Sequence, residues 1–546
     1  MDTKEIFNSI LSIDNAFLFA FLFFWIFHIL RRILLWLHFW QLKEYRIDRF
    51  LDGIGQNKIL LLPKSSSIAF FLAIFYPFFL KINLSFLVGE NIFKFFTFLF
   101  YAFFGAYSIY SFSKRKWSLP KFTKKTIIIL SFIIFLVIFL LLLFKESLFL
   151  VLLIFEIIFP LFLSFCVLIF QVPTYFAKRI IFRKARKKRE GMKDLIVIGI
   201  TGSYGKTSTK EFLAKIIGEK YNILKTEGNN NTEIGVAQTI LKKLNKKHQV
   251  FICEMAAYKK GEIKTICDIA KPQIGILTGI SNQHISLFGS LNNIINAKYE
   301  LIASLPSDGL AIFNGVNKEC LKLYQRTSIK KHIYSFSENG SDLFASNINE
   351  GDSFLEFDMK AKSKNVKVKL NITGKQYIEN FLGATLCALS LKMTLLQIKK
   401  EALKIEPEST IMKKIKSKNG VFVIDDSYSQ NPDGVYAAIN CLKNYSKKKI
   451  VIMPCLIELG KSAPSIHKNI GKKIGEVCDL AIITTPYFFR ELKLGAKEVG
   501  MNEGKILFLK TSTEILKNLE GYFEKENVIL LEGRIPEELK KAILKK

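Results

Sequence analysis

Residues 199–209 read Gly-Ile-Thr-Gly-Ser-Tyr-Gly-Lys-Thr-Ser-Thr, and the apolar run Leu195-Ile-Val-Ile198 stands directly before them. A buried strand that breaks into a glycine-rich turn and then a helix aims several backbone N–H groups at one point. The helix N-terminus adds partial positive charge there, and Lys206 adds a full one. Thr207 is placed to offer its hydroxyl to a Mg²⁺ ion bridging phosphates. The pattern predicts a cradle for a nucleoside triphosphate, built from Thr201, Gly202, Ser203, Tyr204, Gly205, Lys206, Thr207 and Ser208. A complete Walker pattern has a glycine five residues before the last one, and here Ile200 stands in that position.

The chain has 546 residues, enough for three or four domains, and its formal net charge is +32. Lysine is spread through the whole length, and the densest basic run adjoins an apolar segment. The excess therefore reads as a solvated surface with a membrane-facing patch, and nucleic acid is not an expected partner. The eight cysteines form no Cys-x-x-Cys pair, which indicates neither a zinc site nor a disulfide framework.

The apolar content is concentrated in the first third. Ile127–Phe144 is an uncharged run about 27 Å long as a helix, close to the hydrocarbon thickness of a bilayer. Leu148–Phe170 is a second such run, interrupted by Glu156 and Pro160; Ala16–Leu30, Ser66–Leu80 and Ile92–Phe112 are earlier candidates. Five spans are expected. Basic clusters at Arg31–Arg49, Lys114–Lys125 and Lys178–Arg189 fall on one side if the N-terminus is outside. That orientation predicts a multi-pass cell-membrane protein whose later domains lie in the cytoplasm, with the last cluster near anionic lipid head groups. Glu156 inside a span is costly unless paired.

From Gly191 onward β-branched segments alternate with lysine-rich amphipathic ones. Leu195–Ile200, Val250–Glu254, Ile274–Leu277 and Leu310–Phe313 read as buried parallel strands, and Val421–Asp425, Ile450–Met453, Leu480–Thr484, Ile506–Leu509 and Val528–Leu531 as a second set. Residues 333–372 alternate in the manner of an antiparallel excursion. The expected fold is an α-helical transmembrane region followed by two α/β domains, a P-loop-type central domain and a Rossmann-like C-terminal one. The expected boundaries are 1–190, 191–405 and 406–546.

Four further features make sense together if they converge on a nucleotide. Glu254 ends a strand, where a carboxylate can reach a metal. His284 follows the strand Ile274–Leu277, Lys298 lies on the next helix, and Asp425-Asp426 end the first strand of the second set.

Here the soluble region resembles the Mur ligase family, ATP-dependent amide ligases of peptidoglycan synthesis, and is most similar to its D-alanyl-D-alanine-adding (MurF) branch. The resemblance rests on Thr201–Lys210, Gly228-Asn-Asn-Asn-Thr-Glu-Ile-Gly-Val236, Glu254–Ile263, Asn282-Gln-His-Ile-Ser-Leu-Phe-Gly-Ser290, Ala297-Lys-Tyr-Glu300, Asp425-Asp-Ser-Tyr-Ser-Gln-Asn-Pro432, and Glu458-Leu-Gly460 with His467. It implies that Lys206 and Thr207 meet the β/γ-phosphates of ATP and a first Mg²⁺, with Glu254 and His284 also at metal positions. It implies that Lys298 is carbamylated to ligate a second Mg²⁺, that Asn380 lies near the nucleotide, and that Asp425 or Asp426 is the acidic contribution of the C-terminal domain. The implied catalytic set is Lys206, Glu254, His284 and Lys298.

The implied activity is carbon–nitrogen ligation. A carboxylate becomes an acyl phosphate, and an amine then displaces phosphate. The expected partners are a cell-wall precursor, lipid-linked or UDP-linked, a D-amino-acid dipeptide and membrane lipid. Several positions depart from the family pattern. Pro407-Glu-Ser-Thr-Ile-Met-Lys-Lys-Ile lacks the usual Gly-Arg, Tyr377 and Thr232 replace asparagines, and Leu531-Glu-Gly-Arg534 replaces Lys-Gly-Ser-Arg. The apolar region occupies the place of the family's N-terminal sugar-nucleotide domain. Alternatives are a ligase of the same type acting on another substrate, and a catalytically degenerate nucleotide-binding membrane scaffold.

Overall fold

The computed structural model describes residues 13–47, 49–51, 64–81, 86–144, 148–228, 230–283, 285–351, 354–361, 364–405, 413–427 and 431–545. The chain forms two compact units, Met1–Ala177 and Lys178–Lys546.

The first unit is helical: α1 (Ile13–Leu42), α2 (Lys64–Lys81), α3 (Phe86–Ser113), α4 (Lys124–Leu143) and α5 (Leu148–Ile169), with α6 (Gln171–Glu190) beginning at its end. All five apolar segments of the sequence become helices. Among the described residues four are long and apolar enough to cross a membrane, one fewer than the five expected. Within α2, the searched residues contribute a shorter apolar helix, Ser65–Tyr76. The interior is aromatic, with Phe21, Trp25, Trp36, Trp40, Tyr101 and Phe159 buried in one cluster.

Glu156 is buried in this interior, and one oxygen of its carboxylate is paired by α1. Pro160 has no N–H, so the carbonyl of Glu156 four residues earlier loses its helical donor. Arg32 Nη1 donates to that carbonyl at 2.9 Å, and Ser66 Oγ donates to it at 3.2 Å. The Arg32 guanidinium also pairs with the Glu156 carboxylate, and His28 Nε2 lies 3.0 Å from the same carboxylate oxygen. The negative charge and the orphaned carbonyl thus draw on the same Arg32 guanidinium.

The second unit contains two sheets. The first has nine strands in the order β2-β3-β1-β4-β5-β6-β7-β8-β9. These are β1 (Ile196–Thr201), β2 (Ile223–Lys225), β3 (Val250–Glu254), β4 (Ile274–Leu277), β5 (Leu310–Asn314), β6 (Lys331–Ser335), β7 (Leu343–Glu350), β8 (Leu355–Ala361) and β9 (Lys364–Leu370). Pairing is parallel from β2 through to β7 and antiparallel from β7 to β9, so the excursion read in residues 333–372 is present. The order turns back at β1, which lies between β3 and β4. That switch point is where an open α/β sheet exposes a crevice at its strand C-termini.

The second sheet runs β10-β11-β15-β12-β13-β14. Its strands are β10 (Lys413–Lys416), β11 (Phe422–Asp426), β12 (Lys449–Met453), β13 (Leu480–Ile483), β14 (Ile506–Phe508) and β15 (Val528–Glu532). All pair in parallel except β10 with β11. One face of this sheet, carrying Ile424, Val451 and Leu530, shares a hydrophobic cluster with Phe212, Tyr377 and Phe381 of the first-sheet domain. The other face packs Val423, Ile450 and Ile529 on Leu539 and Ile543.

The end of α6 is tied to the sheet that follows it. Arg189 donates to the carbonyls of Ala270, Met192 and Leu195, Lys188 donates to that of Leu241, and Ala185 is buried in the same core.

Candidate nucleotide site

The strand β1 ends at Thr201, and the chain turns through Gly202-Ser-Tyr-Gly205 into α7 (Lys206–Ile217). Gly205 is the N-cap of α7 with φ of +76°, a conformation that suits glycine. A Cβ there would run into Asn380 Oδ1, and one on Gly202 would run into Thr278 Oγ1. The turn is therefore held against β4 and against the helix Gln376–Ser390. Ser203 N donates to Gly279 O at 2.7 Å, Thr278 Oγ1 to Tyr204 O at 2.5 Å, and Thr201 Oγ1 to Met255 O at 2.8 Å.

Lys206 curls back over this turn, donating to the carbonyls of Gly202 at 2.8 Å and Ser203 at 3.0 Å. Removal from water lowers its pKa, and the nearby Glu254 charge opposes the shift. Glu254, at the C-terminal end of β3, is 1% exposed. Its carboxylate accepts from Thr207 Oγ1 at 3.1 and 3.2 Å, from Asn231 Nδ2 at 2.9 Å and from Lys210 Nζ at 3.0 Å. Burial acts to lower the pKa of Lys210, but the charges and hydrogen bonds of Glu254 and Glu211 together outweigh it and hold it raised.

Lys298 is 4% exposed on the helix Leu291–Ala303, with its ammonium 5.9 Å from the centre of the Phe288 ring. Burial, then repulsion from Lys206, pulls its pKa down to about 7. Lys206, Glu254 and Lys298 thus share one electrostatic environment beside the turn.

A single carboxylate facing a hydroxyl is a donor set that Mg²⁺ accepts, since that ion keeps several waters and takes phosphate oxygens as further ligands. Among the described residues no three His, Cys, Asp or Glu side chains gather as an all-protein metal cage. Thr207 and Glu254 fit the partial, phosphate-assisted kind of site.

Two family-profile matches bear on this geometry. The Mur ligase middle domain matches residues 200–388, and the Mur ligase glutamate ligase domain matches residues 412–535. The UDP-N-acetylmuramoyl-tripeptide–D-alanyl-D-alanine ligase of Buchnera aphidicola subsp. Baizongia pistaciae is 30% identical over 336 residues, covering 61% of this chain and 71% of that one. The chain belongs to the Mur ligase family. The enzyme of the same name from Escherichia coli (strain K12) is 30% identical over 278 residues, 50% of this chain and 61% of that one. This Mur ligase therefore spans about three fifths of the length of that curated relative, and 59% of the one from Synechocystis.

Among solved structures, MurF from Acinetobacter baumannii superposes with a TM-score of 0.62 at 25% identity, covering 68% of this chain and 81% of that one. MurF ligase from Thermotoga maritima, solved in complex with ADP, has a TM-score of 0.58 at 23% identity and shares the fold.

The structure brings many of the sequence-read positions of this Mur ligase together. Thr201 to Ser208 form the turn and the start of α7, Glu254 meets Thr207, and Asn380, 6% exposed, abuts Gly205. His284 lies outside the described residues, as does Pro407–Met412, where the family arginine is missing. The loop after His284 reaches the C-terminal domain, with Ser286 N donating to Glu458 O at 3.3 Å. His467 is a structural residue: Nε2 accepts from Leu456 N at 3.0 Å, Nδ1 lies 2.7 Å from Ala463 O, and burial lowers its pKa.

Asp425 pairs with Lys540 and accepts from Ser427 N at 3.2 Å. Asp426, the next residue in the strand, has the opposite facing and stands in register with Glu532 of β15. The replacements have packing roles. Thr232 caps the helix Glu233–Lys242, and Tyr377 packs near Phe212, ring centres 6.2 Å apart. Sequence reasoning passed over Lys210 and Asn231 as ligands of Glu254. Both lay inside stretches that carried the family resemblance, which was the available signal.

Proposed function

We propose that this Mur ligase is a membrane-anchored, ATP-dependent carbon–nitrogen ligase that adds D-alanyl-D-alanine to a muramoyl-peptide cell-wall precursor. The observation that carries the reading is the meeting of Thr207, at the first turn of α7, with the Glu254 carboxylate beside a glycine turn over which Lys206 folds. Lys206, freed from its two loop carbonyls, holds the transferring phosphoryl group. The turn N–H groups hold the other phosphates, and Asn380 fixes the turn from behind. Thr207 and Glu254 would hold Mg²⁺, with Lys298, once carbamylated, and His284 completing the metal positions. Bound there, the ion offsets phosphate charge and orients the leaving oxygen. With little covalent work left to the protein, catalysis is positioning plus electrostatics, and closure of the C-terminal domain keeps water from the acyl phosphate.

Membrane anchoring is supported by the four long apolar helices and by what they expose. Phe19, Phe103, Leu142 and Leu161 are 64%, 69%, 74% and 73% exposed on their outer surfaces, where a water-soluble bundle places polar residues. The matched family segment begins only at residue 200, so these helices lie outside it. That position favours a lipid-linked acceptor over a soluble UDP-linked one.

The test is ligation by the detergent-solubilised full chain with ATP, labelled D-alanyl-D-alanine and either acceptor. Amide product with release of ADP and phosphate, lost in Lys206→Ala, is the expected result. No product with either acceptor would overturn the proposal, and equal use of the UDP-linked form would remove its lipid part.

A further inference from the structure

We infer that the outward side of α6, where Val172, Phe176 and Ile180 are followed by Arg183 and Lys187, is a docking strip for the anionic head groups of the bilayer that anchors the chain. This rests on the membrane anchoring proposed above and is independent of the ligation chemistry.

Polar contacts at three helix ends mark the level of the bilayer border. Gln41, at the end of α1, donates through Nε2 to Lys121 O at 2.9 Å and accepts from Lys121 N at 2.6 Å. The Tyr45 hydroxyl lies 2.9 Å from that of Thr126, in the first turn of α4. Gln171 Nε2, at the start of α6, donates to Tyr45 O at 2.9 Å. Such a layer belongs at the edge of the hydrocarbon, where water and head groups can also serve its polar atoms. The helix just before it, α5, has 22 residues, about 33 Å, which already covers a hydrocarbon core of about 30 Å. α6 therefore begins at the interface.

From there α6 has two unlike sides. At 3.6 residues per turn, Val172, Phe176, Ile180, Arg183 and Lys187 fall on one side. Ile181, Phe182, Ala185 and Arg189 fall on the other, where Ile181, Phe182 and Ala185 join the core beside the first sheet. The outward side is exposed along its length, and Val172, Phe176 and Ile180 are 61%, 57% and 53% exposed. It is apolar first and cationic afterwards, the order in which a helix leaving a bilayer meets acyl chains and then head groups.

The structure also sorts the eight cations between Lys178 and Arg189. Arg189 is used by three backbone carbonyls, Lys188 by the carbonyl of Leu241, and Arg186 by Glu190 at 2.8 Å. Arg183, Lys184 and Lys187 are exposed and have no acidic partner among the described residues. Charge complementarity names the occupant: phosphodiester head groups offer anions at the height where these cations stand. An acidic protein would match the charges, but it would leave Phe176 and Ile180 without an apolar partner.

The test places the full chain in nanodiscs of phosphatidylcholine alone, or of phosphatidylcholine and phosphatidylglycerol in equal parts. The readout is the rate at which an amine-reactive reagent modifies Lys184 and Lys187, followed by mass spectrometry, with the exposed Lys541 as internal reference. Anionic discs are expected to slow both lysines at least fivefold relative to Lys541, and high salt to reverse the effect. Equal rates in the two lipids overturn the strip. The double variant Phe176→Ser/Ile180→Ser changes no charge and is expected to lose most of this protection; protection at the wild-type level there also overturns it. Should that variant fail to fold, the wild-type comparison of the two lipids decides alone. A chain that enters discs of either lipid without charge-dependent protection refutes the strip only; a chain that enters neither refutes the membrane anchoring with it.

Discussion

Stripping carbon dioxide from the buffer is expected to silence this enzyme through one side chain, Lys298. Its pKa falls from 10.5 to about 7, chiefly through burial and secondly through Lys206. At pH 7 about half of such amines are neutral, against roughly one in 3,000 for an ordinary lysine. The neutral amine is the form that attacks carbon dioxide. The N–C bond forms, one proton leaves to solvent, and a carbamate anion replaces the ammonium. The repulsion from Lys206 then becomes attraction. The sign of the linkage also follows. The folded-state pKa lies below the unfolded one, so the unfolded chain binds more protons between about pH 7 and 10.5. Stability of the uncarbamylated protein therefore rises with pH through that window and gains nothing below it.

The assay is labelling with ¹³C-bicarbonate followed by carbon NMR, run beside ligation in buffer with and without bicarbonate. A carbamate resonance is expected in wild type and absent in Lys298→Ala. Turnover is expected to fall at least tenfold without carbon dioxide and to return on its addition. Full activity in stripped buffer, or a resonance that survives in Lys298→Ala, would refute the reasoning.

Four further outcomes are expected. Glu254→Gln leaves the buried Lys210 with only Glu211, 3.3 Å away, and should cost about 3 kcal/mol in denaturant unfolding of the second unit as well as the response of turnover to Mg²⁺. Chelating Mg²⁺ should stop ATP turnover in wild type, reversibly, as followed by phosphate release. Gly205→Ala forces a side chain into a left-handed position against Asn380, so nucleotide binding measured by calorimetry should weaken at least tenfold. In the apolar bundle, Pro160→Ala returns an N–H to the Glu156 carbonyl; Arg32→Met should then be less damaging than in wild type, with a coupling of about 1 kcal/mol in detergent unfolding.

What could be read from the sequence was what is local along the chain. The glycine turn, its preceding strand and Lys206 lie within about a dozen residues, and each supplies its own backbone or charge requirement. The strand β10 could not be read. Its Lys-Lys-Ile-Lys has one apolar residue, and it is extended only because β11 offers it a ladder. The same holds for β2, three residues long and defined by β3. Glu156 and Pro160 are visible as an i, i+4 pair, yet the donors that answer them come from Arg32 and Ser66, distant in sequence. Lys210 looked like any lysine of an exposed helix until Glu254 arrived beside it.

The clearest case is the Asp425-Asp426 pair, where sequence leaves two candidates for one acidic role. Strand geometry forbids both from facing the same way. Lys540, 115 positions further along the chain, claims Asp425, and the sheet turns Asp426 toward the domain that carries the cradle. A choice that is symmetric in the sequence is thus broken by one long-range ion pair. Removing that pair with Lys540→Met should lower stability in denaturant unfolding through the uncompensated Asp425, while leaving nucleotide binding on the Asp426 side, measured by calorimetry, unchanged. A Lys540→Met protein of normal stability with weakened nucleotide binding would show that the two faces are not independent, and the assignment of Asp426 to the cradle side would fail.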